Sequence, residues 1–176
     1  LSEAAFMTGL ERNADIVHMS SYAPLFAHAE GWQWTPDLIW FDNLRSYGTP
    51  NYYVQKLFAN HKGTHALSIL SGNEKVNGQN GLYASAVWDK GAKEIIVKVV
   101  NASDKIQTTD LQLNTGKKVS SNAKMLVLKS ADLDTVNSLE DPTLISPKEE
   151  PLKLKGKKLA IPLSPHSMSV IIIKTL

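Results

Sequence analysis

The sequence predicts a mostly β protein, an antiparallel β-sandwich preceded by a helix–strand–helix unit of α/β character. Seven short runs rich in Val, Ile, Leu and Thr recur between turn residues after position 61, the pattern of a sandwich. Before that position the apolar residues fall at helical spacing, and 11 of the 13 aromatic residues lie there. Charge changes sign at the same point, from a net −3 over the first 60 residues to +5 over the rest. Two regions follow, 1–61 and 62–176.

Glu3 to Asn13 carries Ala4, Met7 and Leu10 at helical spacing, among good helix formers. Ile16-Val17-His18-Met19 reads as a short buried strand, followed by a loop from Ser20 to about Tyr47. Thr49-Pro50 then supplies an N-cap and a proline at the first helical position, and Tyr53, Val54, Leu57 and Phe58 form an apolar face. His61-Lys62-Gly63 ends that helix with a glycine expected at C′. A lone parallel strand needs neighbours and helices on both faces, so this region reads as a slice of a larger α/β protein. The opening Leu1-Ser2 has neither initiator Met nor leader and is read as the edge of a fragment.

In the second region the expected strands are 64–70, 82–88, 94–100, 108–113, 124–128, 158–163 and 167–174. Asp89-Lys90-Gly91-Ala92 and Lys155-Gly156-Lys157 are hairpin signals. Lys98 between Val97 and Val99 suggests alternation against a wet face. Residues 131–151, rich in Asp and Pro, read as a long irregular connection.

Several classes are excluded. No cysteine is present, so there is no disulfide, thiolate nucleophile or Cys-ligated zinc. No uninterrupted apolar run exceeds four residues, so no membrane partner is expected. With a net charge of +2 and only two Arg, nucleic acid is not an expected partner either. His61 and His65 are four apart, but Gly63 breaks the common face a zinc pair needs, and no metal or cofactor is expected.

Glycoside hydrolysis needs two carboxylates, about 5 to 9.5 Å apart according to mechanism. Glu3, Glu11 and Asp15 read as a solvated helix face, while Glu30, Asp37 and Asp42 lie in the loop after the strand. That loop also holds Tyr22, Phe26, Trp32, Trp34, Trp40, Phe41 and Tyr47. Aromatic rings pack on the C–H faces of sugars, so Trp32 and Trp34, which follow Gly31, are the aromatic candidates for substrate contact, and Tyr22 and His28 of the same loop complete the candidate set. Phe26, Trp40 and Phe41 are expected to plug the core beneath the loop.

The runs Glu3-Ala-Ala-Phe-Met-Thr-Gly-Leu-Glu-Arg-Asn-Ala-Asp15, Met19-Ser-Ser-Tyr-Ala-Pro-Leu-Phe26, Trp34-Thr-Pro-Asp-Leu-Ile39 and Tyr47-Gly-Thr-Pro-Asn-Tyr-Tyr-Val-Gln55 closely resemble the C-terminal part of the α-L-arabinofuranosidases of glycoside hydrolase family 51. Leu133-Asp134, Asn137 to Pro142 and Pro165 to Val170 resemble the closing segments more loosely. The resemblance implies that residues 1–61 are the terminal segment of a (β/α)8 catalytic barrel and 62–176 an accessory, jelly-roll-like sandwich. It implies an exo-acting, retaining parent enzyme that releases terminal arabinofuranose from arabinan or arabinoxylan, with both catalytic glutamates before Leu1. Asn73-Glu74 mimics the acid/base dipeptide but lies in a Gly-rich turn of the β region and is rejected. Barrel strand eight would be Ile16 to Met19; Pro24 stands where some relatives carry a sugar-contacting glutamine.

The implied partners are an arabinose-containing polysaccharide or oligosaccharide, reached through the parent enzyme, and the remainder of the barrel. An open sheet edge favours pairing with a second copy. A polysaccharide-degrading parent would be extracellular or periplasmic. The alternative reading is a free-standing carbohydrate-binding module whose aromatic loop grips the polymer.

Overall fold

The computed structural model describes residues 1–176. Helix α1 (Ser2–Arg12) buries Ala4 and Thr8 and ends where the Asn13 side chain donates to the Gly9 carbonyl at 2.8 Å. Helix α2 (Pro50–Asn60) starts as its sequence predicts, with the Thr49 hydroxyl accepting from the Tyr52 N–H at 3.3 Å and Pro50 at the first position. The glycine in left-handed conformation at its end is Gly63, φ +64°, one residue beyond C′ because His61 is the C-cap.

Between the helices the structure corrects the expected strand. Ile16 lies in a turn and Val17–Met19 form no ladder; Ile16 is 73% and Met19 88% exposed. A strand requires a partner for its N–H and C=O groups, and none lies beside these residues in this chain. The aromatic loop instead folds into a small sheet of its own. Strand β1 (Phe26–His28) pairs in parallel with β2 (Ile39–Phe41), which pairs antiparallel with β3 (Ser46–Gly48). Trp40 and Phe41 are half-buried, but Phe26 is 59% exposed and plugs nothing.

The rest is a sandwich of antiparallel sheets. Strands β4 (His65–Leu67), β5 (Leu70–Ser71), β6 (Glu74–Lys75), β7 (Leu82–Asp89), β8 (Glu94–Asn101), β9 (Gln107–Gln112), β10 (Val119–Lys129), β11 (Lys148–Lys153), β12 (Lys158–Leu163) and β13 (Ser167–Thr175) follow in chain order. Six form one sheet in the order β11-β10-β13-β8-β7-β4; β9 pairs only with β12, and β5 only with β6. Each of β9 and β12 therefore has one open edge. The Asp89–Ala92 hairpin joins β7 and β8, with Asp89 accepting from the Ala92 N–H at 2.9 Å. The turn at Gly156, φ +63°, also forms, but its flanking strands diverge to different sheets, β11 onto β10 and β12 onto β9. Strand β11 occupies part of the expected irregular connection.

The six-stranded sheet is buried on both faces. On one, Ile95, Val97 and Val99 of β8 and Ile171 and Ile173 of β13 pack with Leu159, Ile161 and Leu163 of β12. On the other, Ile96, Val100, Met168 and Val170 pack with Ala4, Val54, Leu57 and Phe58 of the two helices. The face expected to be wet is thus roofed by α1 and α2, and Lys98 upon it is 0% exposed. Its ammonium donates to Glu11 at 2.5 Å and to the His61 carbonyl at 2.7 Å, and lies 5.1 Å from the centre of the Phe58 ring. The Ser85 hydroxyl donates to the other Glu11 oxygen at 2.6 Å. Glu11, expected in water, is the counter-ion of a buried cation. Burial holds the Lys98 ammonium below its ordinary pKa, while Glu11 pulls it back up. Beside this pair the Arg12 guanidinium donates to the Ala84 carbonyl at 2.6 Å and to Thr8 at 3.0 Å, so the end of α1 is bonded directly to β7.

Candidate functional site

Two concavities flank the first turns of α1 and α2. One, of about 490 Å³, is an open groove between the helices, closed on one side by Ser20–Ala23. Tyr22 lines it, and its hydroxyl accepts from Asn51 at 3.3 Å. Glu3 and Gln55 face the same groove, joined by a 2.5 Å hydrogen bond from the Gln55 amide. Burial raises the Glu3 carboxyl above its ordinary pKa, opposed by the Gln55 bond and by the chain's amino terminus. Phenol, amides and carboxyl together offer donors and acceptors to a hydroxylated ligand.

The second cavity, of about 350 Å³, lies where the small sheet meets the sandwich. Trp40 and Tyr47 form part of its wall, and Asn137 of the 131–147 connection closes it. Asn137 is 1% exposed; it donates to the Gly48 and Ile145 carbonyls at 2.8 and 3.0 Å and accepts from the Ile145 N–H at 2.7 Å. Asp37 also lines this cavity, 3% exposed, and its Oδ2 has no hydrogen-bond partner.

The sequence-derived candidates do not converge. Tyr22 alone lies in the helical groove. Trp32 and Trp34 sit in the β1–β2 connection, 50% and 65% exposed, and Trp32 rests edge-on against Trp40 with ring centroids 5.8 Å apart. His28 is edge-on to Phe41 at 5.3 Å, and its Nδ1 accepts from the Glu30 N–H at 3.2 Å. Asn51 and Gln55 are polar lining outside the sequence-derived candidates, and Glu3, expected on a solvated helix face, is half-buried beside them; Tyr47-Gly-Thr-Pro-Asn51 was the available signal, since a capped helix start fixes Asn51 beside the groove.

The carboxylates of the first region are spent on structure or stand apart. Glu11 holds Lys98, and Glu3 holds Gln55. Asp42 closes the β2–β3 turn, accepting from the N–H groups of Leu44 and Arg45 at 2.7 and 2.6 Å and from the Arg45 guanidinium at 2.9 Å. Those backbone donors, chiefly, hold its carboxyl below the usual range. No three His, Asp or Glu side chains gather in a way that could hold a metal ion.

Residues 1–167 match the family model of the α-L-arabinofuranosidase C-terminal domain. The chain is 39% identical over 175 residues to α-L-arabinofuranosidase 1 of Arabidopsis thaliana, covering 96% of this chain and 25% of that protein. It is 48% identical over 104 residues to an extracellular exo-α-L-arabinofuranosidase of Streptomyces chartreusis, covering 58% and 13%. The structure superposes on arabinose-bound MgGH51 α-L-arabinofuranosidase with a TM-score of 0.87 and 36% identity, over 99% of this chain and 27% of that one. The chain spans about a quarter of the length of the full-coverage relatives. It belongs to the α-L-arabinofuranosidase C-terminal domain family, within glycoside hydrolase family 51.

Proposed function

We propose that the chain is the C-terminal portion of an exo-acting, retaining α-L-arabinofuranosidase acting on arabinan or arabinoxylan. Residues 1–61 are the last segment of its (β/α)8 barrel and 62–176 its accessory sandwich. This portion braces the barrel and lines part of the sugar pocket, with Tyr22, His28, Trp32 and Trp34 toward substrate, and the catalytic glutamates belong to the preceding part of the protein.

The observation that supports this most is the lopsided cover of the first region. The sheet roofs one side of α1, while Phe6, Ile16, Met19 and Phe26 are 65%, 73%, 88% and 59% exposed. Each such side chain stabilises by roughly 1.5–3 kcal/mol when fully buried, so the surface suits the remaining barrel elements as its cover. The test is hydrolysis of an aryl α-L-arabinofuranoside by the 176-residue chain beside the same chain extended upstream to its relatives' length. Turnover by the longer protein alone is expected; steady turnover by the short chain would overturn the assignment and make Glu30, Asp37 and Asp42 the residues to mutate.

The exposure of Trp32 and Trp34 favours a second reading, a non-catalytic carbohydrate-binding module. A saturable tryptophan-fluorescence shift of the short chain with arabino-oligosaccharide, abolished by Trp34→Ala, would support it.

A further inference from the structure

The strand order gathers charges that the sequence scatters. Lys174 pairs across β13–β8 with Glu94, and Val119 of β10 pairs with Thr175, so the β7–β8 turn, the start of β10 and the C-terminus share one end of the sandwich. The Thr175 and Leu176 N–H groups donate to the Lys93 and Lys118 carbonyls at 2.8 and 2.9 Å. The Leu113 N–H donates to the Lys157 carbonyl at 2.9 Å, which brings the β11–β12 turn alongside; His65 opposite Trp88 brings the 62–64 segment. Lys62, Lys90, Lys93, Lys117, Lys118, Lys155, Lys157, Lys158 and Lys174 all lie at this end, nine of the chain's 17 lysines, against Asp89 and Glu94 out of 17 acidic residues. All but the half-buried Lys157 are exposed, and only Lys174 has a carboxylate partner, Glu94 at 3.5 Å.

We propose that this end of the sandwich is a docking surface for an acidic, uronate-bearing polysaccharide. Like charges crowded on one end repel one another, and the field they create attracts a polyanion and concentrates it there. The composition of the surface selects among polyanions. Both arginines, whose planar forks suit phosphate, are in the first 45 residues, and none is here. The one large ring, Trp88, carries Lys117 at 4.6 Å over its face and His65 at 5.5 Å, so no free aromatic platform is offered to unstacked bases. Apart from Leu176, no exposed large apolar side chain lies at this end to enter a bilayer. Lysines without stacking rings recognise carboxylates along a sugar chain by charge, which would tether the enzyme to acidic polymer while its pocket works on neutral branches. The choice of a polysaccharide rests on the arabinofuranosidase reading above; the positive end does not.

The test is affinity electrophoresis of the 176-residue chain through gels containing polygalacturonate, neutral debranched arabinan or duplex DNA at equal charge, where charge applies. At low ionic strength polygalacturonate is expected to retard the chain, and roughly 0.3 M salt to release it, since the screening length then shrinks to a few ångströms. The variant Lys90→Gln, Lys93→Gln, Lys118→Gln, Lys155→Gln is expected to weaken retardation about tenfold. A control with the same charge change elsewhere, Lys75→Gln, Lys105→Gln, Lys129→Gln, Lys148→Gln, should weaken it less than about twofold. Absence of retardation, equal weakening by both variants, or stronger retardation by DNA would each overturn the proposal. The readout is independent of turnover: retardation by polygalacturonate with no hydrolysis by the extended protein would leave the surface standing and remove the enzymatic reading instead.

Discussion

The sandwich and the first 60 residues meet the same requirement, burial of apolar side chains, by different means. In the sandwich both faces of the large sheet are covered by the chain's own elements, and β8 from Ile95 to Asn101 is buried throughout. The first region has cover on one side only, and contributes eight of the 14 large apolar side chains left exposed. What fastens it to the sheet is partly polar, the Glu11–Lys98 pair and the Arg12 bonds to β7. The contrast teaches that α1 and α2 bury one side on the sheet, whereas Phe6 of α1 and Ile16, Met19 and Phe26 in the segment after it stay exposed.

The sharpest way to break the comparison is at that fastening. Glu11→Ala leaves the Lys98 ammonium buried against a single carbonyl and is expected to destabilise the chain by about 3–5 kcal/mol in urea unfolding. The double variant Glu11→Leu, Lys98→Met should recover most of that loss, because it removes the buried charge with its partner. Lys98 also sets a pH dependence. Its folded pKa is lowered below the ordinary 10.5, so the unfolded chain binds the proton more tightly. Its contribution therefore becomes more favourable as pH rises through the interval between the lowered value and 10.5. The difference in stability between wild type and Lys98→Met, followed by denaturation across that interval, should shift toward wild type with rising pH.

A smaller effect is expected where the 131–147 connection meets β3. Asn137→Ala deprives the Gly48 and Ile145 carbonyls and the Ile145 N–H of their partner, and should cost about 1–3 kcal/mol, measured the same way. Smaller still is the effect of the exposed indole. Trp34→Ala should change the stability of this chain by less than about 0.5 kcal/mol while weakening arabino-oligosaccharide binding by the extended enzyme. A large stability loss would place Trp34 in the core and remove it from the substrate wall.

The sandwich was legible wherever structure is local. The residues of β12 match the predicted run at both ends, and Asp89 to Ala92 makes the turn its composition demands. Strand β11, Lys148-Glu-Glu-Pro-Leu-Lys153, has no apolar alternation, because as an edge strand it owes its shape to β10 alone. The burial of Lys98 was illegible for a related reason. Alternation reads identically on a face covered by water and on one covered by helices, and the Glu11 that compensates the charge lies 87 residues away. In the candidate site, Tyr22 was recoverable from the aromatic cluster, whereas Glu3 and Gln55 look like ordinary helix-surface residues until the two helices are set side by side. The absent strand at Ile16–Met19 follows the same logic: its apolar composition was visible, but these residues find no ladder partner in this chain.

The central claim is that the first region is completed from outside this chain, whereas both faces of the large sheet are covered by elements of this chain. Native-state hydrogen exchange, compared between the 176-residue chain and its upstream-extended form, tests it directly. Amides of β7, β8 and β13 should be equally protected in both, and those of residues 14–26 protected only in the extended protein. Equal protection of residues 14–26 in the short chain, or loss of protection in the central strands without the upstream part, would contradict the account.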